Sequence, residues 1–250
     1  MTNHTDQQGL PDSEQPINPF QASSGLDEAT HSTLDGKQLN PWFSMMSDPR
    51  TTVRQLVDTS PTRYVLLLAA LGGISANLVA SAIGLVNEPS DRMIFLVVAA
   101  LLGGCFGLAS LFVMGWAFAI AGWSLGGVAR ALQCRTAMAW SQVPFCWLLP
   151  LFAGVAIYCA LRGPDLLVLV EADGVNDEPY WDYPSWLRGA LGLSVVASIW
   201  QIALLAQSLG EVHQFSSLRG LAIVFLAGIL VGTVTIVGYV PLSILLSSLA

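Results

Sequence analysis

The chain has 250 residues, 54% of them apolar and 11% charged, with 17 acidic and 10 basic side chains and a formal net charge of −7. An average soluble domain carries about 25% charged residues, so this composition excludes an ordinary soluble protein. The acidity and the single lysine, Lys37, exclude a nucleic-acid partner, because phosphate neutralisation needs clustered Lys and Arg. Twelve charged residues fall in the first 63 positions and fifteen are spread over the other 187, which divides the chain into a polar head and an apolar body.

The head opens Met-Thr-Asn-His-Thr-Asp, without the positive and apolar regions of a secretory signal, and is expected to stay attached. Residues 1–39 are rich in Gln, Ser, Asp, Gly and Pro and hold few bulky apolar side chains, so they are expected to form a disordered cytosolic tail. Residues 40–60 form a distinct element. Trp42, Phe43, Met45 and Met46 supply interfacial anchors, and Asp48-Pro49 reads as an N-cap with proline in the first turn. Val53, Leu56 and Val57 follow at helical spacing, with Arg50 and Arg54 on the opposite side. The expectation is a short amphipathic helix lying in the inner membrane interface, its arginines on anionic headgroups. Ser60-Pro61 repeats the helix-start signal.

Residues 61–250 then hold five apolar segments, near 64–86, 93–125, 137–161, 187–209 and 218–249. Each is near or above the ~20 residues needed to cross a bilayer core. Continuous apolar runs without alternation indicate helices rather than barrel strands, so the fold class is an all-α integral membrane protein with five transmembrane helices. The second segment is too long for one straight span and must tilt, break near Gly122 or project into the cytosol. Arg50, Arg54, Arg63, Arg130, Arg135 and Arg219 flank one side, and Arg92, Arg162 and Arg188 the other. The positive-inside rule then predicts a cytosolic amino terminus and an outer carboxyl terminus, as in a bacterial inner membrane. Trp42, Trp116, Trp123 and Trp140 form the expected inner aromatic belt, and Tyr158, Trp181, Tyr183 and Trp186 the outer one. Gly103 with Gly107, Gly122 with Gly126 and Gly228 with Gly232 have the spacing that lets helix backbones approach.

Chemistry-bearing residues are sparse. The five segments carry no Asp, Glu, Lys, Arg or His at mid-membrane depth, which speaks against a proton-coupled pump or a carrier of charged solutes. Their polar residues are Asn77, Gln201, Gln207 and scattered Ser and Thr, read as interhelical hydrogen-bonding groups. Pro144, Pro150 and Pro241 are read as kinks. Cys105, Cys134, Cys146 and Cys159 show no metal-ligand spacing, and His4, His31 and His213 are too scattered to form a site. The outer loop 162–186 is acidic, yet its carboxylates lack the spacing of a calcium loop. His213 beside Glu211 is half of an acid/base pair with no nucleophile or third group in sequence, and is read as an interfacial hydrogen bond or helix-start contact. Ser216 and Ser217 are candidate N-caps. Neither a catalytic residue, a cofactor nor a metal is predicted.

Three stretches resemble the Yip1-domain family of polytopic membrane proteins. They are Asn40-Pro41-Trp42 with Asp48-Pro49-Arg50-Thr51-Thr52-Val53-Arg54; Gly126-Gly127 through Arg130 to Ala139-Trp140-Ser141-Gln142-Val143-Pro144; and Leu209 through Arg219, with the run Gly210-Glu211-Val212-His213-Gln214-Phe215. The similarity spans roughly residues 40 to 245. It implies five helices and a cytosolic amino terminus, and it implies no reaction; eukaryotic relatives are linked to membrane traffic and small GTPases. The expected function is a non-enzymatic adaptor or organiser with membrane lipids and a protein partner or second copy as partners. Its expected recognition patch is Trp42, Pro49, Arg50, Arg54, His213, Phe215 and Arg219 on the cytosolic face. The rival is a transporter or flippase of a lipid or lipid-linked substrate, with Asn77, Gln201 and the Trp186 region as polar contacts.

Overall fold

The computed structural model describes residues 39–87, 91–162, 168–170, 180–182 and 184–249. The head through residue 38 and the acidic positions Asp165, Glu171, Asp173, Asp177 and Glu178, with the expectations attached to them, lie outside the described residues. Eight helices follow in order among the described residues: α1 Pro41–Ser47, α2 Pro49–Thr59, α3 Val65–Asn87, α4 Arg92–Ser124, α5 Ala131–Ser141, α6 Val143–Arg162, α7 Ser185–Val212 and α8 Ser217–Leu249. Between α6 and α7, β1 Val168–Val170 and β2 Tyr180–Asp182 pair antiparallel, with Leu169 opposite Trp181. Five helices, α3, α4, α6, α7 and α8, are long and apolar enough to cross a membrane.

Helix boundaries follow local chemistry. Asn40 caps α1 by accepting the Trp42 N–H, with Pro41 in the first turn. Asp48 ends α1 and starts α2, where its carboxylate accepts the Thr51 N–H at 3.3 Å and the Thr51 hydroxyl at 2.6 Å. The element expected as one interfacial helix is therefore two helices, and they pack on protein: Met45, Thr52, Val53 and Leu56 are buried. Ser60-Pro61 is not a helix start. Ser60 caps the end of α2, and a turn through Tyr64, at φ 57°, delays α3 to Val65.

The third expected span is also corrected. Residues 137–141 belong to α5, and the membrane helix α6 begins only at Val143. Pro144 has no N–H for the Trp140 carbonyl and its ring crowds that group, so the chain breaks at Gln142, whose N–H turns back to Ala139 and Trp140. Pro150, by contrast, sits inside an uninterrupted α6.

Helix α4 runs through all 33 residues without breaking at Gly122. At 1.5 Å per residue it spans about 50 Å against a bilayer core of about 30 Å, so its last turns project past the core. These turns, with α1, α2, α5 and the adjoining ends of α7 and α8, enclose the largest buried cluster, built around Met45, Val53, Phe118, Trp140, Leu209 and Ile223. We call this the cap end. Within the membrane, α3 lies centrally against α4 and α6, and α7 pairs with α8. The outward sides of α4 and α8, such as Leu101, Phe106, Phe225 and Ile229, are exposed as lipid contact requires.

The expected glycine pairs separate into three kinds. Gly103 and Gly107 meet α3 backbone to backbone at Gly73 and Ala69. Gly122 meets His213, whereas Gly126, at φ 85°, is a turn residue in open space. Gly228 and Gly232 have nothing within 4 Å of an added Cβ. Of the expected belts, Trp140 is buried core, Trp116 and Trp123 are exposed and Tyr158 stacks edge-on with Trp186 at 5.3 Å, while Tyr183 and the Trp181 side chain lie outside the described residues.

Two helices end alike at the cap end. After α4, Gly127 N–H bonds to the Gly122 carbonyl and Gly126 N–H to Trp123; after α7, Phe215 N–H bonds to Gly210 and Gln214 N–H to Glu211. Both are Schellman turns, which require a left-handed residue. Gly126 supplies it without cost, but Gln214 adopts φ 61° with a side chain. Gln214→Gly is therefore expected to stabilise the protein by about 0.5–1 kcal/mol, read as a raised melting temperature in detergent. A lowered one would show that the Gln214 side chain makes a contact worth more than the strain.

Candidate functional site

The cap end brings together most of the residues the sequence pointed to, but it turns several inward. Arg50, on the first turn of α2, donates through Nη2 to the Phe215 carbonyl at 3.2 Å and to Ser217 Oγ at 3.0 Å, tying α2 to the turn between α7 and α8. One turn on, Arg54 pairs with Glu211, its Nε lying 2.6 Å from Oε1. These arginines thus bind protein groups, not the headgroups expected of them. The Arg54 side chain is half exposed, so its ion pair contributes at most about 1 kcal/mol. Pro49 is buried in the first turn of α2. Trp42 packs edge-on against Trp140, ring centroids 5.7 Å apart.

His213 caps the end of α7 and is 1% exposed. The Ala129 N–H donates to its Nδ1 at 3.4 Å, and Cys134 Sγ lies 3.5 Å from Nε2. The ring presses on Gly122 and Gly127, where any Cβ would overlap it. Its other face stacks on Phe215, which carries the Arg219 guanidinium 5.5 Å above its ring. His213, expected at an interface or helix start, is therefore the buried pin of the cap. Cys134 is the partner that sequence reasoning missed. It had one visible signal, a cysteine lying outside the five apolar runs.

Burial sets the charge states here. Desolvation pushes the Cys134 thiol up to about 12, and a buried protonated thiol is no nucleophile. Desolvation also holds His213 below the usual 6.5, with the Phe118 backbone opposing it. The unfolded chain therefore binds the His213 proton more readily than the folded one. Stability from this group is complete above pH 6.5 and is lost as pH falls through 6.5 toward the lower folded value. Melting temperatures are expected to fall between about pH 7 and 5, and to fall less in His213→Gln. Equal slopes in the two proteins would show that this ring does not stay neutral in the folded state. Glu211 and Arg219, the charged neighbours, are present in both.

Among the described residues no three metal-ligating side chains converge. The polar residues named for transport divide. Asn77 and Gln201 line one cavity of about 330 Å³ between α3, α4 and α7, together with Gln142 at the α5–α6 break. Trp186 instead borders a separate apolar depression with Tyr158 and Pro150.

The Yip1-domain family model matches residues 43–239. The chain belongs to the Yip1-domain family. No curated protein and no solved structure matches it. The match takes in the whole His213 cluster and all but the first residues of α1, so the stretches that carried the resemblance are the ones that build the cap.

Proposed function

We propose that this Yip1-domain protein is a non-enzymatic adaptor or organiser of the cytoplasmic (inner) membrane that works through its cap end, with that end and the amino terminus in the cytosol and the carboxyl terminus outside. The single observation that carries the reading is that α2 is pinned to the α7–α8 turn by Arg50 on one side while presenting Arg54 and Asp58 outward. A pinned helix with a polar outer face offers a partner a preorganised surface at low ordering cost. The excess of arginine on this side supports the orientation. The recognition patch is accordingly revised: Pro49 and His213 hold the cap from within, Arg50 bridges, Trp42 and Phe215 are half-buried, and Arg54 and Arg219 are the expected residues left at the surface.

The test places a photo-crosslinking amino acid at Thr51 or Asp58 in native membranes, with Phe225 on the lipid face as control. A discrete adduct from the α2 positions, weakened in Arg50→Ala/Arg54→Ala and absent from Phe225, is the expected result. An adduct of twice the mass identifies a second copy as the partner. If α2 gives nothing beyond the Phe225 control, the adaptor reading fails. The transport reading keeps one supporting observation, the polar cavity.

A further inference from the structure

The cavity between α3, α4 and α7 combines three features. Its lining includes Asn77, Ser110, Gln142, Ser198 and Gln201, five neutral polar side chains on four elements. Asn77 and its neighbour Gly72 lie seven to twelve residues after the start of α3 at Val65, so the cavity sits about 10–18 Å along that helix, near the middle of a ~30 Å core. Polar groups at that depth are costly and mark function unless they satisfy one another. Here they do so only in part. Asn77 donates to the Ala99 carbonyl, Ser110 to Gly107 and Ser198 to Ser194, whereas the amides of Gln142 and Gln201 have no hydrogen-bond partner among the described residues.

The surroundings hold Gln142 in place. Gln142 is the single residue at which α5 ends and α6 begins, because Pro144 has no N–H for the Trp140 carbonyl, and Gly72 makes the room: a Cβ on it would stand 2.7 Å from Gln142 Oε1. Broken helices at membrane depth are tolerated where they are buried in protein or line a cavity. The rim is open to lipid, since Ala76 is exposed and Phe106 is 75% exposed.

We propose that this cavity binds the uncharged headgroup of a diacylglycerol-type lipid entering sideways from the bilayer. No lining residue is charged, so a phosphate or an ammonium would lose its hydration without an opposite charge to replace it. An amide offers two N–H donors and a carbonyl acceptor, which complement ester carbonyls and a free hydroxyl. The volume of about 330 Å³ suits a headgroup, leaving the acyl chains in the membrane. The inference stands apart from the adaptor reading and needs no partner at the cap.

The test reconstitutes the full chain in vesicles of phosphatidylethanolamine and phosphatidylglycerol carrying a trace of photoactivatable diacylglycerol. A phosphatidic acid probe with the same acyl chains serves as the charged control. The expected result is diacylglycerol labelling of peptides bearing Gln142 or Gln201, competed by unlabelled diacylglycerol, with phosphatidic acid at background. Gln142→Leu/Gln201→Leu is expected to cut labelling about tenfold, two lost hydrogen bonds of the membrane-interior kind. Its melting temperature without diacylglycerol is expected to be equal or higher, because it removes unpaired polar groups. Ala76→Phe, at the exposed rim, blocks entry without touching the interior and decides the matter if the double variant does not fold. Equal labelling by both probes, or labelling unchanged in Ala76→Phe, overturns the proposal and leaves the cavity to water.

Discussion

Gly107→Leu is expected to lower the stability of the folded protein by about 3 kcal/mol, at the upper end of the usual cost of overpacking. A Cβ on Gly107 alone would stand 2.2 Å from the Ala69 carbonyl oxygen and 3.0 Å from the Gly73 Cα. Both are backbone atoms of α3, so no rotamer change can make room. The two helices would have to separate along their contact, where association depends on close packing because lipid tails compete equally for apolar surface. The reciprocal position agrees, since a Cβ on Gly73 would meet the Gly103 carbonyl at 2.3 Å. Unfolding by SDS titration in mixed micelles measures the effect, and Gly228→Leu is the control. Gly228 faces open space, and that change is expected to stay within about 0.5 kcal/mol. Similar losses at both positions would mean that the cost does not come from the α3–α4 crossing, and helix propensity could not supply it, since leucine is the better helix former.

Trp140→Ala is the second large effect, also about 3 kcal/mol. Truncating a buried tryptophan in a packed core costs roughly 3–5 kcal/mol. Trp140 is 1% exposed and holds Trp42 at its edge, so its loss also frees α1. Part of the cost is returned, because its Nε1–H is buried without a hydrogen-bond partner among the described residues, and an unpaired donor carries a penalty of about 1–3 kcal/mol. Trp140→Phe separates these contributions: it keeps a ring and removes the orphan donor, and is expected to cost less than about 1.5 kcal/mol. Limited proteolysis supplies an independent readout, with cleavage near Asn40–Asp48 expected in Trp140→Ala and not in Trp140→Phe. Equal resistance of the two variants would show that α1 is held by something other than this ring.

The sequence carried the membrane body openly because hydropathy over twenty residues is a strong signal that depends on no partner. The five spans agree with α3, α4, α6, α7 and α8 to within a few residues at most ends. Asp48-Pro49 was legible for the same reason, since a cap and a first-turn proline act within four residues. Asn40-Pro41 carries the same chemistry, but the helix it starts is only seven residues long, too short for hydrophobic spacing to set it apart from α2. Pro144 was visible as a kink, yet whether a proline bends a helix or ends it depends on what receives the freed Trp140 carbonyl and on room such as Gly72 provides for Gln142. The glycines show the limit most sharply. Gly103/Gly107 and Gly228/Gly232 have identical spacing, and only the neighbouring helix distinguishes contact from open space. His213 and Cys134, 79 positions apart, could not be paired from spacing at all.

The latch between Arg50 and the Phe215 carbonyl bridges 165 positions of sequence. At about 5–20 residues per second, a ribosome emits its second half some 8–30 s after the first. During that interval α1 and α2 are outside the ribosome while the α7–α8 turn that receives them does not exist. The face bearing Met45, Val53 and Leu56 has no protein to cover it, and the nearest apolar medium is the bilayer surface. Until Glu211, Phe215 and Ser217 are made, the arginines of α2 lack the protein groups that they bind in the folded chain. The cap is thus closed by segments from opposite ends of the sequence, and a chain stopped before residue 210 would leave α2 without the turn that holds it.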